Sequence, residues 1–291
     1  MKFFLYDVFT SKKFSGGPLA VVDCRNLDVL PSDDLMQKIA REFSLPETTF
    51  IFEPENTAHE AQIRFFTMTH ELPMAGHPTV GTSLHLYNEK QEKPENFIVE
   101  LGVGPTRIEF EDNKAFMFQQ PCKKYDASKI DKELLAKNLG IEKSTFDDDY
   151  PIEFFSAGLT FLIVPMMNKD SLNRIIPAQN DLHKMFEGFP AHHIYAFSFD
   201  KNETVVNTRM FIGDPGDMVE DPSTGSAAGS LSHYLYEYKR SFIDGKNLTI
   251  HQGEKMGRPS EIYISLENNQ FGDLVPRVGG SSVLLASGEL F

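Results

Sequence analysis

The stretch Glu71-Leu72-Pro73-Met74-Ala75-Gly76-His77-Pro78-Thr79 returns, altered, as Glu220-Asp221-Pro222-Ser223-Thr224-Gly225-Ser226-Ala227-Ala228. Both copies read Glu-x-Pro-x-x-Gly followed by His or Ser, one in each half of a 291-residue chain. Each follows a strand-like run containing Arg and Phe, and each leads into a helix pattern of small and apolar residues. A single copy would be an ordinary turn before a helix. Two copies predict two similar units, each aiming a helix N-terminus at a common place.

The first turn of a helix leaves backbone N–H groups without intrahelical partners, and the macrodipole adds positive potential there. Glycine at the turn lets a ligand approach the backbone closely. Gly76 and Gly225, with Thr224 beside the second, therefore mark two candidate anion sites, and a carboxylate is the expected ligand. His77 and Ser226 stand at the mouths of the two helices, expected over Pro78–Lys90 and Ser226–Tyr238.

Outward from these turns the chain reads mainly as strands. Phe3–Thr10 and Leu19–Val22 open it, and Ser32 or Asp33 caps a helix whose Leu35, Met36, Ile39, Ala40 and Phe43 share one face. Ser44-Leu45-Pro46-Glu47 imitates a capping box. The β-branched and aromatic run Thr48–Phe52 after it predicts a strand instead, which leaves Glu47 at a loop-to-strand junction. Ala61–Thr67, Phe97–Leu101, Thr106–Glu111 and Ala115–Gln119 complete the first half. In the second, Leu134–Leu139 and Ala178–Phe186 read as helices. Thr160–Val164, Ile194–Phe199, Val205–Phe211, Leu248–His251, Glu261–Leu266, Phe271–Val275 and Ser282–Ala286 read as strands. This is an α+β pattern without the regular alternation of a doubly wound sheet. The halves are placed at 1–119 and 120–291.

Composition narrows the function. Forty-two acidic residues against 28 basic ones give a formal charge of −14, which argues against nucleic acid or an anionic membrane as partner. No run approaches a membrane span or a secretory leader, so a cytoplasmic location is expected. Two cysteines, Cys24 and Cys122, are too few for a disulfide framework or a zinc site. His70-Glu71-Leu72-Pro73-Met74 begins like a zinc-protease motif, but Met74 replaces the second His and Pro73 breaks the helix. Gly225-Ser226-Ala227-Ala228-Gly229 is not a hydrolase elbow, and no Gly-x-Gly-x-x-Gly frame for a dinucleotide occurs. No metal and no cofactor is expected.

Glu47, His77, Asp221 and Ser226 remain as candidates for chemistry. Each has a plain reading of its own. Glu47 could be a surface carboxylate, His77 a satisfied loop histidine, Asp221 a turn residue before Pro222 and Ser226 a simple N-cap.

Tyr6-Asp7-Val8-Phe9-Thr10 with Phe14-Ser15-Gly16-Gly17-Pro18-Leu19-Ala20-Val21 resembles the opening of the PhzF, or phenazine biosynthesis-like, family. The two helix motifs, Glu71–Thr82 and Val219–Gly229, and the run Gln252–Ser260 with Val278-Gly279-Gly280 resemble that family in the same order. Gly17 stands where the family usually has Asn, and Met74 where Phe is common. The resemblance implies the diaminopimelate-epimerase-like fold: two pseudo-symmetric, barrel-like halves, each around a central helix, with the active site between them and with 280–291 free to return as a strand to the first half. Related epimerases use two cysteines there, and neither Cys24 nor Cys122 lies in a helix motif. The resemblance also implies a homodimer and a cofactor-independent isomerase that moves a proton on a small carboxylate-bearing metabolite. Glu47 matches the family's acid/base glutamate, and His77, Asp221 and Ser226 match residues that hold substrate and assist proton transfer. Two other functions stay open on the same fold: a metabolite-binding protein without turnover, and a two-base epimerase.

Overall fold

The structure, a computed structural model, describes residues 1–200, 205–213, 219–269 and 271–291. The chain forms two compact units, Met1–Phe118 with Gly279–Phe291, and Gln119–Val278.

The first unit contains β1 (Lys2–Val8), β2 (Gly17–Asp23), α1 (Asp33–Phe43), β3 (Glu47–Phe52), β4 (Ala61–Phe66), β5 (Glu71–Leu72), α2 (Gly76–Glu89), β6 (Asn96–Leu101), β7 (Gly104–Glu111) and β8 (Lys114–Phe118). The second contains β9 (Lys123–Tyr125), α3 (Lys132–Asn138), β10 (Glu153–Ser156), β11 (Thr160–Pro165), α4 (Lys169–Arg174) and α5 (Gln179–Met185). It continues through β12 (Ile194–Phe199), β13 (Val205–Phe211), β14 (Glu220–Asp221), α6 (Gly225–Tyr238), α7 (Arg240–Ile243), β15 (Leu248–Gln252) and β16 (Ser260–Asn268). The second unit ends within β17 (Leu274–Gly280), and β18 (Ser282–Glu289) pairs antiparallel with β1 in the first.

The two units repeat one pairing scheme. In the first, β1/β2 is antiparallel, β2/β3 parallel, β3/β4 and β4/β5 antiparallel, β4/β6 parallel and β6/β7 antiparallel. In the second, β10/β11, β11/β12, β12/β13, β13/β14, β13/β15 and β15/β16 follow the same order of senses. A parallel pair needs a crossover rather than a hairpin, and α1 and α2 supply the two crossovers of the first unit. The chain has the diaminopimelate-epimerase-like fold.

The helices differ in burial for a reason visible in their composition. In α2 ten consecutive residues, His77–Leu86, are buried, and in α6 Gly225–Ser232 with Tyr234 and Leu235 are buried. A helix enclosed on all sides needs small or apolar residues all round and shows no polar stripe. Gly229 shows how close the approach is: a Cβ there would lie 1.9 Å from Gln119 Oε1. By contrast α1 buries only Met36, Ile39 and Ala40, on a cluster with Val22, Cys24, Phe50, Phe52 and Phe66.

Several boundaries differ from expectation. Both central helices start earlier than the proline and serine signals suggest, α2 at Gly76, two residues before Pro78, and α6 at Gly225, one residue before Ser226. Thr224, rather than Ser226, is the N-cap of α6. The strand expected over Phe271–Val275 runs from Leu274 to Gly280, because Pro276 and two glycines hide a buried strand from propensity. The short strand β10 carries no alternation long enough to recognise. As expected, Ser44 is no capping-box residue. It closes α1 in the left-handed region at φ 53°, and β3 starts at Glu47.

Candidate active site

In the first unit β3 delivers Glu47 from its first position, paired in parallel register with Leu19 of β2. His77 is the second residue of α2, with only 5% of its side chain exposed against 19% for Glu47. Glu47 Oε2 lies 3.5 Å from His77 Nε2. That exceeds the usual 2.7–3.2 Å of an N–H···O bond, so carboxylate and imidazole are neighbours without being locked together. The N-cap, Ala75, has an extended backbone and no side chain to cap the helix. The first-turn donors around Gly76 and His77 therefore receive no capping bond from it.

The second unit builds its helix mouth from a polar network. Asp221 accepts from the Ser223 N–H at 3.3 Å and from the Thr224 hydroxyl. With its hydroxyl committed to Asp221, Thr224 makes no side-chain cap on α6. Gln252 ties the turn together. Its Nε2 donates to the Asp221 carbonyl at 2.8 Å and to Thr224 Oγ1 at 2.9 Å. Its Oε1 accepts from the Thr224 N–H at 3.3 Å and from the Tyr195 hydroxyl at 3.0 Å. Burial, with Asp221 nearby, pushes the Tyr195 pKa up despite a hydrogen bond to Thr208, so the phenol keeps its proton and donates. A fully satisfied buried network of this kind fixes one geometry. Gly253, in the left-handed region at φ 76°, completes it: a Cβ there would meet Arg258 O at 2.3 Å and Pro222 O at 2.7 Å.

The candidates thus fall into two sets. Glu47 and His77 meet beside Gly76, while Asp221 and Thr224 are bonded beside Gly225, with Ser226 the second, buried residue of α6. Asp221 is more than a turn residue before proline, because its carboxylate organises the two residues after that proline. Gln252 and Tyr195 escaped sequence reasoning. Gln252 lay in a recognised run, yet nothing local marks an amide that bonds a residue 57 positions away. Among the described residues no group of three or more His, Cys, Asp and Glu side chains gathers as a metal site would. Burial pushes both thiols up to about 12, which keeps them protonated at neutral pH. Among the described residues no helix is long and apolar enough to cross a membrane.

The chain matches the phenazine biosynthesis-like protein family over residues 6–288 and belongs to it. It is 34% identical over 307 residues to an uncharacterised isomerase of Mesorhizobium japonicum, covering 99% of this chain and 98% of that one. It is 33% identical over 293 residues to the trans-2,3-dihydro-3-hydroxyanthranilate isomerase of Pseudomonas aeruginosa, covering 100% and 99%. The crystal structure of a PhzF-family phenazine biosynthesis protein of Bacillus anthracis superposes with a TM-score of 0.90 at 26% identity, covering 100% and 99%. The chain is an enzyme of the isomerase class, of the PhzF type.

Proposed function

We propose that this isomerase moves a proton on a small cyclic carboxylate of the dihydro-hydroxyanthranilate kind, with Glu47 as the group that carries it. The supporting observation is the contact of Glu47 with His77, 3.5 Å apart and mostly screened from water beside an uncapped helix start. A carboxylate in such a place can take a proton from carbon and return it to another position. His77 stabilises the charge left on the substrate or relays the proton. Ser226, Thr224 and the first-turn N–H groups at Gly225 hold the substrate carboxylate, and Asp221 keeps Thr224 in place for that task. Donors fixed in advance stabilise developing charge without reorganising.

Glu47→Gln tests the reading, because shape and hydrogen bonding are nearly preserved while proton transfer is removed. On trans-2,3-dihydro-3-hydroxyanthranilate, turnover should fall by at least ~10²–10⁴ with folding and ligand affinity retained. A variant that turns over at the wild-type rate would remove Glu47 from the chemistry.

A further inference from the structure

We infer that His193 is a substrate-contacting residue, standing in the second unit where the first carries Glu47. This deepens the function proposed above and rests on it. The correspondence comes from strand register. Phe66 of β4 pairs with both Thr48 and Glu71, and Phe211 of β13 pairs with both Ile194 and Glu220. The residue before Thr48 is Glu47, and the residue before Ile194 is His193. The His193 carbonyl accepts the Leu162 N–H at 2.9 Å, so the β11/β12 ladder reaches this residue. The central helices correspond in the same frame, Gly76 with Gly225 and His77 with Ser226.

The packing of β12 places the imidazole at the mouth of α6. Alternate residues of a strand share a face. The Phe197 ring packs on Tyr234 of α6 at 5.5 Å. Two residues earlier, the Tyr195 hydroxyl reaches Gln252, whose Oε1 also takes the N–H of the α6 N-cap. His193 is the next residue on that face, half-buried, its ring 6.0 Å from that of Phe161, which also lies 6.4 Å from Tyr195. From Phe197 to His193 the strand advances ~14 Å, and from Tyr234 to Thr224 the helix runs ~15 Å. In the first unit the side chain at this position does reach the second helical residue, as the Glu47–His77 contact shows.

The exchange of carboxylate for imidazole separates the roles of the two positions. Glu47 is an acceptor when ionised and suits proton abstraction. An imidazole offers an N–H donor in either protonation state and a positive charge in one. His193 therefore recognises an anionic or hydroxyl group of the substrate and leaves the proton on carbon to Glu47.

The probe is 3-hydroxyanthranilate, an aromatic analogue of the proposed substrate, titrated calorimetrically into wild type, Glu47→Gln, His193→Ala and His193→Gln. We expect His193→Ala to weaken binding about tenfold or more, as for loss of a hydrogen bond to a charged group. His193→Gln, which keeps a donor, should recover part of that loss, and Glu47→Gln should bind as wild type does. In turnover, the His193 variants should raise KM more than they lower kcat. Unchanged affinity in both His193 variants overturns the inference. So does an equal loss in both accompanied by a lower melting temperature, which would mark a structural role, and so does failure of wild type to bind the probe. Binding that depends on His193 in a protein with no isomerase turnover would leave the inference standing and refute the isomerase reading alone.

Discussion

Arg209 holds Glu220 through two hydrogen bonds, Nε at 2.9 Å and Nη2 at 2.7 Å, while its Nη1 donates to the carbonyls of Leu172 and Ile175. Arg64 holds Glu71 in the same two-pronged way, both bonds at 2.7 Å, in the other copy of the repeat. Each guanidinium also lies over a phenylalanine two residues on, Phe211 at 4.7 Å and Phe66 at 5.3 Å. The Arg-x-Phe and Glu-x-Pro signals are thus one device, a clamp that ties the strand before the turn to the turn itself. The copies differ in solvent: the side chains of Arg209 and Glu220 are 7% and 14% exposed, those of Arg64 and Glu71 28% and 40%.

That difference sets the cost of breaking them. Removing one partner of a buried pair strands a charge, at ~3–5 kcal/mol, whereas exposed pairs contribute ~0–1 kcal/mol. Arg209→Ala should therefore lower unfolding free energy in urea several times more than Arg64→Ala. It should also reduce turnover, since Asp221 follows Glu220 directly. Equal losses for the two variants would contradict the burial argument.

A second prediction concerns acid sensitivity. His85 is 3% exposed, with Nδ1 2.9 Å from the Tyr6 hydroxyl and Nε2 3.7 Å from Glu89. Burial pushes the Tyr6 pKa up to about 12, so the phenol donates to Nδ1 and the imidazole proton sits on Nε2. Burial pulls the His85 pKa below 6.5; Arg25 adds to this, while Glu89 and Asp23 oppose it. Phe4 covers the ring at 4.4 Å. The folded protein thus keeps His85 neutral where the unfolded chain takes up a proton. Its contribution to stability is complete above about pH 6.5 and is lost as pH falls toward the lowered folded value. His233, also pulled down by burial, acts in the same direction. Urea midpoints measured from about pH 7.5 to about pH 5 should fall, and His85→Gln should flatten that slope. A slope identical to wild type would exclude His85 as its source.

Much of this was legible in the chain because the signals are local. Ile194–Phe199 and Val205–Phe211 form strands over the range their β-branched and aromatic residues suggest, and the repeat announces both central helices within a residue or two. Glu47 and His77 could be named, but their 3.5 Å contact depends on β3 and α2 meeting, which no spacing encodes. The Tyr195–Gln252–Thr224 network is harder still, since each member is an unremarkable polar residue until three separate elements converge. The equivalence of Glu47 and His193 is invisible to alignment by eye. Loop lengths differ between the units, and only strand register restores the frame.

Thiol chemistry gives a third prediction. Cys24 is buried and Cys122 partly so, and burial holds both thiols protonated at neutral pH. Neither lies at a central helix start, where His77 and Ser226 stand. Cys24→Ala with Cys122→Ala should therefore retain turnover within a few-fold, and iodoacetamide should not inactivate the native enzyme. Inactivation that substrate prevents would reopen a thiol mechanism.

The last prediction separates the possible outcomes of proton transfer by the fate of the hydrogen. If Glu47 removes a proton from one carbon and delivers it to another, substrate deuterated at the first position carries label to the second whenever return outruns exchange. In heavy water the same enzyme washes solvent deuterium into product to the extent that exchange wins. The two label yields from one enzyme should therefore be complementary. Mass spectrometry of the product under single-turnover conditions reads both. A two-base epimerase would instead retain the carbon skeleton's double bonds and incorporate one solvent deuterium with inverted configuration, because its second base brings a proton from water. A binding protein would show neither transfer nor wash-in while still taking up the carboxylate. Glu47→Gln should abolish both label routes together, because one carboxylate serves abstraction and delivery. Loss of one route with survival of the other would require a second proton carrier, and His77, 3.5 Å from Glu47, is the side chain placed to be it.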